Sequence, residues 1–203
     1  MANHKEERHT EEGHKERGLA RPGLARPGLA IIYARSINYC IGADGGLPWS
    51  LPDEYAHFNA TTFGYPVIMG RRSFEDHDGA LPDRLNIVVS RDRQYLTSKE
   101  TAANKGVSEG NTADQILLAS SLADAIQLAA AAHSTYFVIG GAGLIGEALP
   151  LANTVFETVV DAHIEGDTFL SPIDFSAWST ALMSQHSSDD QHPFEFRVYQ
   201  HSR

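Results

Sequence analysis

From Ala30 onward, short apolar runs alternate with helix-forming stretches, and that alternation restricts the chain to very few architectures. Ala30–Ala34 (AIIYA), Val67–Gly70 and Leu85–Ser90 (LNIVVS) read as buried strands, because a strand covered on both faces is apolar without a break. Between the first two, Pro52 opens a helix of about three turns, Asp53 to Thr62, with Tyr55, Phe58 and Thr62 sharing a face. Arg71–Asp76 reads as a short helix, Ile116–Ala119 as a strand, and Ser121-Leu-Ala-Asp124 as the capped start of an Ala-rich helix to about Ala132. Tyr136–Ile139, a glycine turn, a helix to Leu149 and Thr154–Ala162 form a strand–helix–strand unit. Trp178–Ser184 and Glu195–His201 have the spacing of a terminal hairpin with a wide loop. The expected fold is a single α/β domain with helices flanking a mainly parallel sheet, made mixed by that hairpin.

Residues 1–29 have a different texture. His4-Lys-Glu-Glu-Arg, His9-Thr-Glu-Glu-Gly and His14-Lys-Glu-Arg-Gly lead into two copies of Leu-Ala-Arg-Pro-Gly, starting at Leu19 and Leu24. A period of five fits neither helix nor strand, and Pro22 and Pro27 forbid a continuous helix. The expected division is a disordered repeat over 1–29 and a folded domain over 30–203, and a chain initiated at Leu29 would begin one residue before the first strand.

Charge narrows the partners. The whole chain carries -10, and the repeat holds six basic side chains against five Glu. The rest therefore has 10 basic against 21 acidic side chains, a net -11. Nonspecific nucleic-acid binding and adhesion to anionic membranes are disfavoured. No apolar run approaches the roughly 20 residues of a membrane span. Cys40 is the single cysteine, so neither an internal disulfide nor a Cys/His zinc module is expected, and no metal ligands are assigned. Half of the domain's basic residues lie between Arg71 and Arg93 (Arg71, Arg72, Arg84, Arg91 and Arg93), at strand ends where open α/β sheets bind ligands.

Two further features carry chemistry. Gly141-Ala-Gly143-Leu-Ile-Gly146 follows a strand, opens a helix and has Asp161 twenty residues beyond Gly141, which fits a dinucleotide fingerprint. No second strand–helix half follows it, so a conventional dinucleotide fold is disfavoured; phosphate contact or close packing both remain open for these glycines. Glu54 sits between Leu47-Pro48-Trp49-Ser50-Leu51-Pro52 and the apolar face of Tyr55 and Phe58. An inward-facing acid there would be desolvated and its pKa raised, while Asp53 should point about 100° away around the helix.

Taken in order, these segments resemble dihydrofolate reductase. The resemblance rests on Ile41-Gly42, Leu47 to Glu54, Phe58, Val67-Ile-Met-Gly70-Arg71-Arg72-Ser73-Phe74-Glu75 and Leu81-Pro82-Asp-Arg84-Leu-Asn86-Ile-Val-Val-Ser90-Arg91. It continues through Val138-Ile139-Gly140-Gly141, Leu149-Pro150, Thr158, Asp161 and Glu165-Gly166-Asp167-Thr168. It implies NADPH-dependent reduction of 7,8-dihydrofolate to tetrahydrofolate, for one-carbon metabolism and for thymidylate, purine and amino-acid synthesis, by a cytoplasmic monomer. Glu54 would hold the pteridine and promote protonation at N5, supported by Thr158, with Trp49 ordering the neighbouring loop. Ile32, Ala34, Tyr55, Phe58 and Leu81 would line the folate site, and Arg84 would clamp the substrate's glutamate carboxylate. Arg71, Ser90 and Arg91 would hold the cofactor's 2′-phosphate. Arg72, Ser73, Gly141, Ala142, Gly143 and Leu144 would hold the pyrophosphate, with Ala34, Ile41, Ile139 and Gly140 also at the cofactor and Asn38–Leu47 as a mobile lid.

The chain departs from the family pattern in three places: Ala142 replaces a glycine, Ile145 replaces a tyrosine often beside the nicotinamide, and Asp76-His77 replace small or aliphatic residues. The 91–114 loop is also longer than the pattern leads one to expect. Two alternatives stay open at this level: a riboflavin-pathway pyrimidine reductase and a noncatalytic protein that binds NADPH or folate.

Overall fold

A computed structural model of the chain describes residues 28–76, 79–92, 94–95 and 116–203. The pentad repeat up to residue 27, His77 and most of the 91–114 loop lie outside the described residues.

Eight strands form one sheet: β1 (Gly28–Ser36), β3 (Val67–Gly70), β4 (Asn86–Val89), β5 (Ile116–Ala119), β6 (Thr135–Gly140), β7 (Thr154–Val160), β9 (Ser179–His186) and β10 (Phe196–Ser202). Their spatial order is β5-β4-β3-β6-β1-β7-β10-β9. Every pair from β5 to β7 is parallel, and β10 runs against both its neighbours. The sheet is thus mixed and mainly parallel, and the terminal hairpin supplies its antiparallel edge. The first strand starts earlier than the apolar run suggested: Gly28 and Leu29 pair with Thr135 and Tyr136, and Leu29 is buried.

Helices cover both faces, as βαβ crossovers require. On one face lie α3 (Leu122–Ala132) and α4 (Ala142–Ala148), which press Leu122, Ala125, Ala129, Ile145 and Ala148 onto Ile31, Ile68, Val138 and Val155. Ser121 caps α3 by accepting the Asp124 N–H at 3.1 Å. On the other face lie α1 (Pro52–Thr62) and α2 (Arg71–Asp76), where Phe58 and Phe74 meet Ile32, Met69, Phe137 and Phe156. Fully burying a side chain such as Phe137 or Phe156 contributes about 1.5–3 kcal/mol.

A second, two-stranded sheet pairs β2 (Cys40–Gly42) with β8 (Thr168–Phe169). Next to it, Ala43 and Gly46 exchange backbone hydrogen bonds at 3.0 Å across Asp44 (φ 49°) and Gly45 (φ 83°). Two central residues at positive φ make a type I′ turn, which the Asp-Gly dipeptide favours. Asp167 ties this turn down: its carboxylate accepts the Asp44 N–H at 3.0 Å, and its N–H donates to Gly42 O at 3.1 Å.

One buried polar cluster crosses the sheet on the α3–α4 side. Glu157 accepts hydrogen bonds from the Tyr33 hydroxyl (3.0 Å) and Arg35 Nε (2.8 Å), and meets His201 Nε2 at 3.3 Å. Burial alone would push the Glu157 carboxyl up, but the bonds from His201, Arg35 and Tyr33 outweigh it and hold the carboxyl below its usual range. A carboxylate with a depressed folded pKa stabilises the protein above its unfolded pKa, and that stabilisation is lost as pH falls through the folded value. Glu157→Gln is therefore expected to cost about 2 kcal/mol at pH 7. Melting curves should show that gap closing toward pH 3; an unchanged gap would reject the charge as its origin.

Candidate active site

α1 delivers the inward acid. Pro52 occupies the first turn, where its missing N–H removes no helical bond, and Leu51 anchors the entry by packing on Val160, Phe196 and Val198. This fixes the helix phase so that Glu54 is 6% exposed while its neighbour Asp53 faces solvent. From the sheet, β7 supplies Thr158, which lies opposite Ala34 of β1 in register. Its hydroxyl donates to Glu54 Oε1 at 3.2 Å. Burial raises the Glu54 carboxyl to about 7, with the Thr158 bond pulling in the opposite direction. At neutral pH, Glu54 is thus poised to give or take a proton.

Glu54 lines a cavity of about 330 Å³ that opens between the two helices α1 and α2 and the ends of β1 and β6. Ile32, Ala34, Tyr55 and Phe58 form one side of it, the stacked rings of Tyr55 and Phe58 lying 6.3 Å apart. Ile41, Ser73, Ile139, Gly140 and Gly141 form another. Gly42, Gly45, Gly46 and Leu47, from the segment read as a lid, close over it. Tyr33, Asp76, Ile145 and Thr168 also line the cavity. Of these, Tyr33 and Thr168 carried no site assignment from sequence. Thr168 is brought there by the β2–β8 pairing.

Other residues singled out from sequence stand around the cavity without lining it. Thr158 touches it through Glu54. Trp49 packs with Leu51, and its indole Nε1 is buried with no hydrogen-bond partner among the described residues. Leu81 is a core residue. Its N–H and C=O bind the Asn86 side chain, each at 2.9 Å, and Asn86 also donates to Arg84 O at 2.9 Å. That brace presents Arg84, which is 2% exposed. Arg84 donates to Asn59 Oδ1 (2.8 Å), Asn59 O (3.3 Å) and Pro82 O (3.1 Å), and its guanidinium carbon lies 5.9 Å from the Phe58 ring centroid. Its Nε is buried without a partner among the described residues, and burial lowers its pKa.

At the ends of β3 and β4, a second polar region forms. Arg71 pairs with Asp92 at 3.1 Å and lies over the Tyr95 ring, Arg72 and Arg91 are exposed, and buried Ser90 accepts the Asp92 N–H at 3.2 Å. Between this region and the cavity runs the loop from β6 into α4, with a cis Gly140–Gly141 peptide. A Cβ at Gly140 would sit 3.0 Å from Ser73 Oγ, and one at Gly141 would sit 3.3 Å from it, so a side chain at either position would press on the Ser73 hydroxyl. Gly143 is exposed, with Ala142 and Leu144 half-buried beside it. Bare backbone flanked by arginines is a fitting cradle for a dinucleotide's phosphates.

The family model for dihydrofolate reductase matches residues 28–203, which includes every element described above. The chain belongs to the dihydrofolate reductase family. Among its relatives, the dihydrofolate reductase of Neisseria meningitidis serogroup A is 39% identical over 153 residues, covering 74% of this chain and 83% of that protein. The enzyme of Bacillus subtilis is 34% identical over 173 residues, covering 84% and 93%. Among solved structures, the dihydrofolate reductase of Enterococcus faecalis complexed with NADP(H) and RAB-propyl superposes with a TM-score of 0.71 at 25% identity, over 87% of this chain and 96% of that one. No helix among the described residues is long and apolar enough to cross a membrane.

Proposed function

We propose that this dihydrofolate reductase works with Glu54 as the carboxyl that orients the pteridine and drives protonation at N5, and with Thr158 as its support. The observation that carries the reading is a carboxyl buried beside Thr158 in a largely apolar cavity, its pKa raised to about 7. NADPH, when bound, supplies a hydride from its nicotinamide C4 to pterin C6. The protein does the rest. Ile32, Ala34, Tyr55 and Phe58 hold the flat ring system and keep water away from it, which strengthens every polar contact inside. Glu54, protonated near neutral pH, lets the N5 proton arrive while the hydride reaches C6, so the product takes up one hydride and one proton. Tetrahydrofolate so made feeds one-carbon metabolism.

Arg84, with an unpartnered Nε close to Phe58, clamps the substrate's glutamate carboxylate. Gly141, Ala142, Gly143 and Leu144 with Ser73 and Arg72 cradle the pyrophosphate, and Arg71, Ser90 and Arg91 take the 2′-phosphate that distinguishes NADPH from NADH. The Enterococcus relative's NADP(H) complex supports this cofactor choice. Asn38–Leu47 acts as the lid, and the half-buried Trp49 at its end orders it. The expected setting of this activity is a monomer in the cytoplasm.

The test follows NADPH oxidation on adding dihydrofolate. Turnover should require both, and failure with dihydrofolate alongside turnover of a ribosylaminopyrimidine would select the riboflavin-pathway reading. For the phosphate site, Arg91→Ala is expected to raise the NADPH KM about tenfold, the loss of one charge-assisted hydrogen bond. The dihydrofolate KM should stay within about twofold. A larger rise for dihydrofolate than for NADPH would reject the assignment.

A further inference from the structure

On the outer side of α1, away from the cavity, three side chains from distant parts of the chain converge. Asp53 comes from the first turn of α1, His186 from the last residue of β9, and His192 from the wide loop between β9 and β10. We propose that Asp53, His186 and His192 form a three-ligand site for a divalent transition metal of the zinc class, which fastens the β9–β10 loop to the start of α1.

The donor atoms already face one another. His186 Nε2 lies 2.7 Å from Asp53 Oδ2, His192 Nε2 lies 3.8 Å from the same oxygen, and all three donors fall within 4.8 Å of one another. A tetrahedral zinc with bonds of about 2.0–2.2 Å separates its ligands by roughly 3.3 Å, so the trio needs only small adjustments of side-chain angle.

The rings are also set in the metal-binding tautomer. His192 Nδ1 meets the Asp189 carboxylate at 2.8 Å, and His186 Nδ1 meets the Ser187 carbonyl at 2.9 Å. Both partners can only accept, so both Nδ1 atoms carry the proton and Nε2 is the ring atom each imidazole presents to Asp53, where His192 Nε2 accepts the Asp53 backbone N–H at 3.3 Å, a bond the metal would displace. A carboxylate and a carbonyl are the groups that ligating imidazoles usually bond through their other nitrogen at zinc sites. Asp189 is itself fixed, accepting the N–H groups of Gln191 and His192 at 2.8 Å each. His192 is 3% exposed, and the His186 ring stacks on buried Phe196, so neither imidazole is free to wander. At 2.7 Å the His186 Nε2–Asp53 contact is a hydrogen bond with a proton on Nε2 as well, and the metal ion would take that proton's place.

The ligand set names the metal class. Two imidazoles and one carboxylate suit Zn²⁺, with Cu²⁺, Ni²⁺ and Co²⁺ as chemical relatives, whereas Mg²⁺ and Ca²⁺ prefer oxygen ligands throughout. Asp53 is exposed, which gives the ion an entry path and leaves the fourth position for water.

The test is zinc binding by the full chain, measured in competition with a chromophoric chelator. His4, His9 and His14 of the repeat could also take zinc, so the reference protein carries all three as Asn. It should bind one Zn²⁺ with a Kd of micromolar or tighter, and the Co²⁺ form should show the visible bands of a four-coordinate ion. His186→Ala and Asp53→Asn, both at accessible positions, should each weaken binding at least 30-fold, since loss of a supporting partner alone costs 10–100-fold. Zinc at 100 times its Kd should raise the Tm of the reference protein by about 5–10 °C and that of His186→Ala by no more than about 2–3 °C. Equal zinc affinity in the reference protein and both variants, or affinity no better than millimolar in all three, would overturn the site and leave the trio as an ion pair.

Discussion

Glu54→Gln is expected to lower kcat for dihydrofolate by 10²–10³-fold at pH 7 and, at the same time, to raise the melting temperature. The rate effect is the usual span for losing a positioned proton-handling group. Glutamine matches glutamate in shape and still accepts the Thr158 hydrogen bond, so a rate loss reports on the proton rather than on packing. The stability effect follows from linkage. The Glu54 pKa is raised from 4.5 to about 7 in the folded protein, so the folded state holds this proton more tightly than the unfolded state. Its contribution is therefore fully present below the unfolded pKa and is lost as pH rises through about 7. Above pH 7 the wild-type protein bears a buried carboxylate at a cost of about 3 kcal/mol, and Gln removes that cost. Melting curves should separate the two proteins by roughly 5–10 °C at pH 8 and converge near pH 4.5. Full activity of Glu54→Gln at neutral pH would sink the proton-handling role; equal melting temperatures at pH 8 would show that the carboxyl is not desolvated.

How far the sequence could be read depended on the physics of each segment. AIIYA and LNIVVS were legible because strands buried on both faces are apolar throughout; β1 contains the first, and β4 takes up the central Asn86–Val89 of the second. The capped start of α3 was legible because capping is local in sequence, with Ser121 reaching only to Asp124. Gly28 and Leu29 were misplaced in the repeat because a strand's first residues look like any loop until their neighbour, here Thr135 and Tyr136, is known. The β2–β8 pair was missed for a similar reason. Its strands have three and two residues, too short for any alternation, and they come together from more than a hundred residues apart.

At the site, helix phase pointed Glu54 inward because Phe58, one turn further on, packs against the sheet from the same side, whereas Tyr55, read on that same face, is 55% exposed. Long-range register was not readable in that way. Tyr33 lies between Ile32 and Ala34 and reaches the cavity wall, yet its hydroxyl turns to Glu157 on the other face. The convergence of Asp53 with His186 and His192 depends on the terminal hairpin folding back to α1, a fact of topology with no local spacing to betray it.

Arg84→Leu is expected to raise the dihydrofolate KM by roughly 30–100-fold with little change in the NADPH KM. Losing charge-assisted bonds to a carboxylate costs about 2–3 kcal/mol. Arg84 is suited to this work because its surroundings fix the guanidinium before any ligand arrives: Pro82 holds Nη1, Asn59 holds Nη2, and Asn86 braces the turn that carries it. Ordering it in advance removes an entropy cost from binding. The buried Nε still lacks a partner among the described residues, and a substrate carboxylate would meet that need. Arg84→Lys separates charge from shape. Lysine keeps the positive charge but loses the planar fork, so it should recover only part of the affinity. A substrate truncated before its glutamate supplies the decisive comparison, because it has nothing for the clamp to hold. Its kcat/KM should differ little between wild type and Arg84→Leu, while that of dihydrofolate falls at least 30-fold. Equal losses for both substrates would mean that Arg84 supports the fold of the β4 turn and does not grip the substrate's tail.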